Sequence, residues 1–452
     1  MIIVMKIKLI EPSLYTENGR LLKSKRLLMP SLALPLLAAL TPNNVDITIV
    51  NEQFEDIDFE EKVDLVGITS YTPQILRAYD IADEFRRRNV PVVMGGIHVS
   101  MEPQEAMEHA DTVIVGEAEE MWPEFMRDFE NGIRKNMYVA QNRPSLFNLP
   151  IPRFSLIDKL QYISFQNKGL YRFLPLPMIP IQTAMGCPHS CDFCSVTIFS
   201  GTQYRTRPIP QVIDEIKMLR AKSCFFVDDN IFANPNRAKE LFSHLVPLKI
   251  LWIGQATISA AKDRELIRLA RKSGCIALAV GLESLSTKIL ASVSKTMNRV
   301  DEYEKNLTAY RKEGISVIIS MVFGLDGENS MVFKEAYNFL LKNRIPYTFW
   351  WPITPFPGTS LLKRLKESDR LKDEKWWLNS ALSGKKLLKF ACIGIDEESF
   401  YKTFKHYYWK FYSLQSICKR ILLPPQQRFF LKIILNLLLR KDIPIQHLLV
   451  KN

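Results

Sequence analysis

The stretch Thr183-Ala184-Met185-Gly186-Cys187-Pro188-His189-Ser190-Cys191-Asp192-Phe193-Cys194 sets three cysteines within eight residues, on a loop opened by Gly186 and Pro188. Thiolates this close in sequence can converge on one metal centre. Three of them suit a four-iron, four-sulfur cluster with one iron left open for chemistry, because two would hold it poorly and four would close it. Two other readings stay open from these residues alone: three unrelated cysteines in a reducing compartment, or part of a zinc site with a distant fourth ligand.

The stretch resembles the radical S-adenosylmethionine (SAM) signature, Cys-x3-Cys-x-aromatic-Cys, with Phe193 at the aromatic position. The resemblance implies that Cys187, Cys191 and Cys194 ligate a [4Fe-4S] cluster, that SAM chelates the open iron, and that one electron from an external donor releases a 5'-deoxyadenosyl radical. Downstream the chain alternates strand and helix. Strands are expected at 181–184, 224–227, 250–254, 276–280, 317–323 and 347–351, with helices such as 209–222, 236–246, 263–273 and 300–313 between them. Six such units suit the family's partial (β/α)6 TIM-type barrel, whose site lies at the carboxyl ends of the strands. Phe226-Val227-Asp228-Asp229-Asn230 closes the second strand, where Asp228 and Asp229 could accept hydrogen bonds from substrate or the methionyl ammonium; alternatively they form an ordinary helix cap before Pro235. Glu283, ending the fourth strand, matches the glutamate that the family sets against SAM, and Gln255 after the third strand is a further choice. Gly324 and Leu325 fall in the segment that resembles the adenine-lining fifth strand, or form a tight turn. Residues 354–359 resemble a closing loop, and with Trp350 and Trp351 they suggest an apolar substrate wall.

Upstream, strands are expected at 6–10, 45–50, 63–69, 90–94 and 112–115, with helices such as 74–88 and 119–129. This pattern predicts a doubly wound parallel sheet, with ligands bound in loops beyond the strand ends. Those loops carry Ser70, Tyr71 and Thr72, then Gly95, Gly96 and His98, then Gly116 and Glu117. As a series they resemble the Rossmann-like, flavodoxin-type cobalamin-binding domain that precedes the radical SAM core in one large subfamily. The Asp-x-His-x-x-Gly motif that supplies a histidine to cobalt elsewhere is absent, since the residues two before the six histidines are Gly96, Met107, Cys187, Phe242, Phe404 and Ile445. Bound cobalamin is therefore expected to lack a histidine ligand, with His98 either touching the corrin or satisfied by nearby backbone. The expected organisation is an α/β chain with a cobalamin domain over 1–140, a proline-rich linker over 141–178, the radical SAM core over 179–365 and a mostly helical region over 366–452.

The charge is local. Residues 401–452 hold ten Lys or Arg against one acid, Asp442, and so supply nine of the net twelve positive charges; no nucleic-acid motif accompanies them. Between Arg428 and Arg440 every fourth residue is polar, leaving Phe429, Phe430, Ile433, Ile434, Leu437 and Leu438 as an apolar face. That run is too short to span a bilayer but suits either an anionic membrane surface or packing on the barrel. The aromatic cluster Tyr407, Tyr408, Trp409, Phe411 and Tyr412 reads as core or pocket wall. Without a leader before the first apolar run, the protein is expected in the cytoplasm, with peripheral membrane contact as an option.

The resemblance implies a cobalamin-dependent radical SAM enzyme that methylates an unactivated carbon of a small molecule, with a lipid, isoprenoid or tetrapyrrole favoured. A cobalamin-dependent cyclase would share every motif, and a non-catalytic cobalamin sensor would have no use for the cysteines. A methylthio-transferring enzyme would need cysteines before Cys187, and there are none.

Overall fold

The computed structural model describes residues 5–16, 19–23, 30–157, 175, 178–383, 388–423 and 426–442. Pro177 of the expected linker lies outside them. In the first part, β1 (Lys6–Glu11), β2 (Asp46–Asn51), β3 (Leu65–Thr69), β4 (Val92–Gly95), β5 (Thr112–Val115) and β6 (Met137–Val139) form one sheet in the order 2-1-3-4-5-6. Every pairing in it is parallel. The strands are runs of Val, Ile and Leu because helices cover both faces of such a sheet; Leu9, Val66 and Val113 are fully buried. Five strands lie within two residues of expectation, whereas β6 is too short to carry a pattern. The strand order reverses between β1 and β3, and loops at such a switch point diverge to leave a crevice.

The second part begins with β7 (Ile179–Ile181), continues through a two-stranded antiparallel arm, β8 (Ala184–Met185) and β9 (Arg205–Thr206), and then builds β10 (Ser223–Phe226), β11 (Leu251–Ala256), β12 (Cys275–Glu283), β13 (Ser316–Phe323) and β14 (Tyr347–Pro352). The parallel sheet runs 14-13-12-11-10-7, an open six-stranded barrel wall. The first barrel strand ends earlier than the expected 181–184. Asp228 explains this, because its carboxylate takes both the backbone N–H of Thr183 at 2.6 Å and the Thr183 hydroxyl, turning the chain out of the sheet into the arm. Trp252 fills the core between the rings of Phe226 and Phe242, at 5.3 and 5.1 Å.

The C-terminal helices 397–411, 414–421 and 429–442 pack on the barrel. Phe404 and Tyr408 each lie 5.9 Å from Trp350, so the aromatic cluster is core. The last helix keeps part of the expected apolar face, with Ile434 and Leu438 buried, but it departs at four positions: Lys432 and Asn436 are buried too, while Phe429 and Phe430 are 43% and 55% exposed. The cause is local, since the carbonyls entering β14 need donors. Asn436 Nδ2 reaches Pro346 O at 3.1 Å, and the buried Arg420 serves Ile345 O and Pro346 O at 2.6 and 2.8 Å. Among the described residues no helix is long and apolar enough to cross a membrane. Between barrel and tail, the chain returns to the first sheet, where Trp376 and Trp377 are buried among Tyr79, Ala82 and Val99.

Candidate functional site

Cys187, Cys191 and Cys194 sit, all half-buried, on the loop between β8 and the helix Ser195–Ser200. Gly186 makes this path possible: its φ is +89°, and a Cβ there would lie 2.3 Å from Gln203 O on the returning strand of the arm. The loop is pinned at several points. Gly186 N donates to Asp229 Oδ2 at 3.1 Å, Cys187 N to Gly201 O at 3.2 Å, and Cys194 N to Cys191 O at 3.1 Å. Asp192 accepts from Arg364 Nη1 at 2.9 Å, tying the loop to the helix after β14. Burial pushes Cys191 up to about 11, the Lys295 ammonium pulls it down, and the other two thiols raise it again. Three thiols that resist ionisation together fit a cationic metal cluster, whose iron supplies the positive charge they lack.

Glu283 ends β12 with φ at +64°, a left-handed backbone at a register shift in the sheet. A bulky side chain held there is strained, and such strain concentrates at functional sites. Asn298 Nδ2 holds the bulge by donating to Gly281 O at 2.9 Å. One oxygen of the 7% exposed Glu283 carboxylate accepts from Lys295 Nζ at 2.7 Å; the other, Oε2, is buried with no partner among the described residues. Lys295 also lies 5.9 Å from the ring centroid of Phe193, and its field reaches all three cysteines. An ammonium beside a carboxylate with one unsatisfied oxygen is complementary to the zwitterionic head of an amino acid, which is the part of SAM expected here. Sequence reasoning missed Lys295, which sits after a short helix with no periodic or motif signal.

Three other calls are corrected. Asp228 is 1% exposed and both its oxygens are occupied by Thr183, so it shapes the arm and has no oxygen left for substrate or SAM. Burial raises Asp228 to about 6, against those hydrogen bonds. Gly324 and Leu325 turn their N–H groups inward to Glu328 Oε2, at 2.8 and 3.2 Å, and Gly324 O takes the Cys392 thiol at 3.3 Å. This backbone therefore offers shape to a base, while its hydrogen bonds go to Glu328. Gln255 donates weakly to Asp228 O at 3.5 Å and belongs to the same scaffold. Asp229 keeps its place beside the cysteine loop.

A cavity of about 500 Å³ lies between the two sheets. The first domain contributes Ser70, Tyr71, Gly95, Gly96, Gly116 and Glu117; the second contributes Pro180, Gln182, Met185, Phe199 and Val227. Met185 and Phe199 flank the cysteine loop on either side, so the cavity reaches the arm itself. Gly96 has φ +103°, and a Cβ there would stand 2.8 Å from Ser70 O, so only glycine lets these two loops close up. The Ser70 hydroxyl is buried and has no partner among the described residues, a polar atom available to a ligand. These features fit a large planar group such as a corrin lying on glycine-rich loops.

Thr72 and His98 do not line this cavity. His98 is fully buried, its Nδ1 3.2 Å from Thr72 Oγ1 and its Nε2 3.3 Å from Glu105 Oε1, with Trp377 edge-on at 5.6 Å. It belongs to the contact between the first sheet and the returning segment, so the histidine is satisfied within the fold, though by the side chains of Thr72 and Glu105 and not by the nearby backbone expected. Glu117 lines the cavity, but its buried carboxylate is engaged by Arg205 on β9 as a two-pronged pair, with Arg143 at 3.7 Å. It clamps the two domains beside the arm. Neither Arg205 nor Arg143 is signalled by sequence, because the pairing spans 88 residues.

With this geometry, comparison with known proteins is informative. The family model of the radical SAM superfamily matches residues 181–340, and that of the B12 binding domain matches residues 25–126. The chain is 31% identical over 377 residues to the bacteriochlorophyllide d C-12(1)-methyltransferase of Chlorobaculum tepidum, covering 81% of this chain and 79% of that one. It is also 31% identical over 366 residues to the bacteriochlorophyllide d C-8(2)-methyltransferase of the same organism, covering 78% and 79%. Among solved structures, the cobalamin-dependent S-adenosylmethionine radical enzyme OxsB, with aqua-cobalamin and S-adenosylmethionine bound, superposes with a TM-score of 0.67 at 13% identity over 92% of this chain and 69% of that one.

Proposed function

Because the chain belongs to the methyltransferase-like family of cobalamin-binding radical SAM enzymes, with a [4Fe-4S] cluster, SAM and cobalamin as cofactors, we propose that it transfers a methyl group to an unactivated carbon of a bulky, largely apolar ring substrate of the tetrapyrrole class. The observation that carries this reading is the cavity between the domains, whose walls include both the glycine loops of the first sheet and the residues flanking the cysteine loop. When bound, the cluster and SAM supply a carbon-centred radical and cobalamin supplies a transferable methyl group.

The chain's own part is positioning. Cys187, Cys191 and Cys194 would hold the cluster, on a loop fixed by Asp229 and Arg364. Glu283 Oε2 would take the methionyl ammonium and Lys295 the methionyl carboxylate, which sets SAM against the open iron. The loops at Ser70, Gly95–Gly96 and Gly116 would carry the corrin, and the Glu117–Arg205 pair keeps that domain seated on the arm. Trp351, 42% exposed near the end of β14, would give the substrate an apolar wall. The two Chlorobaculum relatives are named for methylation of a bacteriochlorophyllide, and this supports the tetrapyrrole over a lipid or isoprenoid. An external donor would deliver the electron.

The test is anaerobic reconstitution with iron and sulfide, followed by assay of 5'-deoxyadenosine and S-adenosylhomocysteine from SAM, with and without methylcobalamin and with alkyl-substituted tetrapyrroles as substrates. Both products together, with a substrate mass gain of one methylene, are expected. Deoxyadenosine with a substrate that loses hydrogen and closes a ring would replace methylation by cyclisation.

A further inference from the structure

The barrel has a second polar cavity at the opposite end from the cysteine arm. It opens where β13 and β14 begin, has a volume of about 230 Å³, and is lined by Arg311, Arg344 and Lys432 with Asn343, Gln426 and Gln427. Three cations surround it, and among the described residues no Asp or Glu lines it. Lys432 is 7% exposed, and its ammonium has Gln426 Oε1 as a neutral partner at 2.7 Å. Arg311 likewise uses neutral acceptors, Asn343 O at 3.0 Å and Thr308 Oγ1 at 3.3 Å, and Arg344 Nε donates to Arg420 O at 3.3 Å. Arg428, close enough to repel Lys432, has a buried Nη1 with no partner in the described chain.

The cations press on one another. Burial, then Arg428 and Arg344, hold Lys432 down at about 8, and burial with Arg311 lowers Arg344. Gathering positive charge in a half-enclosed space is costly unless an anion enters. The volume equals roughly seven waters at about 30 Å³ each, enough for a tetrahedral oxyanion with part of its hydration shell. Nothing in the reaction at the other end of the barrel needs this charge.

We propose that this pocket binds a phosphate group, with Arg311, Arg344 and Lys432 as its cationic contacts and the side-chain amides of Gln426 and Gln427 as neutral donors. The phosphate has two possible sources: the free ion, or the headgroup of an anionic phospholipid. The surface beside the pocket is apolar, with Leu423, Phe429 and Phe430 at 69%, 43% and 55% exposure, a surface that suits a lipid interface.

Thermal unfolding of the full-length protein, titrated with inorganic phosphate against chloride at matched ionic strength, is the first arm of the test. A saturable rise in Tm of about 3 °C at a hundredfold excess over Kd is expected, and it should vanish in Arg311→Gln and Lys432→Gln. In the second arm the protein is sedimented with vesicles of phosphatidylglycerol and phosphatidylcholine, or of phosphatidylcholine alone. Binding to the anionic vesicles that falls at least tenfold in either variant identifies the lipid headgroup as the source. A phosphate-specific Tm shift without vesicle binding identifies the free ion. No phosphate shift, together with vesicle binding that is absent or indifferent to both variants, overturns the proposal. Should a variant fail to fold, the wild-type arms decide alone: a phosphate shift or preference for anionic vesicles supports the pocket, and the lack of both refutes it.

Discussion

Arg205→Met should weaken the joint between the two domains more than any other single change outside the hydrophobic cores. Arg205 Nη1 lies 2.8 Å from Glu117 Oε2 and 2.8 Å from Pro144 O, and Nη2 completes the pair with Glu117 Oε1. Removing the guanidinium leaves Glu117, 4% exposed, facing only Arg143 at 3.7 Å. Breaking a buried ion pair on one side costs about 3–5 kcal/mol, and Arg143 places this case near the lower figure, about 3 kcal/mol, or roughly a hundredfold in the folding equilibrium. Replacing both partners by apolar groups of similar volume removes the orphaned charge, so Glu117→Leu with Arg205→Met should return to within about 1 kcal/mol of the parent. Urea denaturation of the parent, both single variants and the double variant, followed by far-ultraviolet circular dichroism, measures the cycle. Cobalamin retained after desalting should follow the same order, because Glu117 borders the cavity proposed to hold it. A single variant within 1 kcal/mol of the parent, or a double variant no better than Arg205→Met, would refute the clamp.

Serine at Cys187, Cys191 or Cys194 should abolish cluster iron and 5'-deoxyadenosine formation while leaving the circular dichroism spectrum unchanged, since the thiols are only half-buried. Glu283→Gln and Lys295→Met should each weaken SAM binding by roughly 10- to 150-fold, the range of one charge-assisted hydrogen bond of about 1.5–3 kcal/mol, as read by isothermal titration of the reconstituted protein. Glu328 gives a pH signature: burial raises its carboxyl from 4.5 to about 7 in the fold, so its contribution is complete below pH 4.5 and is lost as pH rises through 7. The shift corresponds to about 3 kcal/mol, and Glu328→Gln should flatten the fall in urea midpoint between pH 4.5 and 8; an unchanged slope would exclude Glu328 as its source. Trp377→Ala should cost about 3–5 kcal/mol in the same denaturation assay, through lost packing and the loss of one of the donors to Glu105.

The sequence disclosed those features that depend on neighbours in the chain. The cysteine spacing, the strand periods and the glycine loops Gly95–Gly96 and Gly116 are local, and each marks an element or a cavity wall where the structure has one. Glu283 was legible because it ends a strand in a recognisable segment. What stayed hidden depends on partners far apart in sequence. Asp228 reads as a site residue until Thr183, 45 positions earlier, occupies both its oxygens. His98 reads as a cofactor contact until Glu105 and Trp377 enclose it. The last helix shows a polar stripe at a four-residue repeat, yet Asn436 turns inward because the Pro346 carbonyl just before β14 needs a donor, and Lys432 turns inward onto Gln426. Hydrophobic periodicity measures the preference of side chains for water, and a cluster of unsatisfied backbone acceptors can reverse it.

The pair Trp376–Trp377 bears on how the molecule is made. These indoles complete the packing around Tyr79 and Val99, and Trp377 Nε1 donates to Glu105 Oε1 at 3.0 Å, across 272 residues. Burial pushes the Glu105 carboxyl up, but its bonds with His98, Lys375 and Tyr79 outweigh this and bring it down to about 2. During synthesis the first sheet therefore emerges with one face unfinished and with Glu105 lacking two of its donors, Lys375 and Trp377, and it stays so until the whole barrel has left the ribosome. The stretch 1–140, expressed alone, would expose that face and aggregate or bind its corrin loosely, whereas a version carrying residues 370–383 on a tether would close it. Final consolidation of that face of the first sheet is in this way timed to follow completion of the radical-generating half.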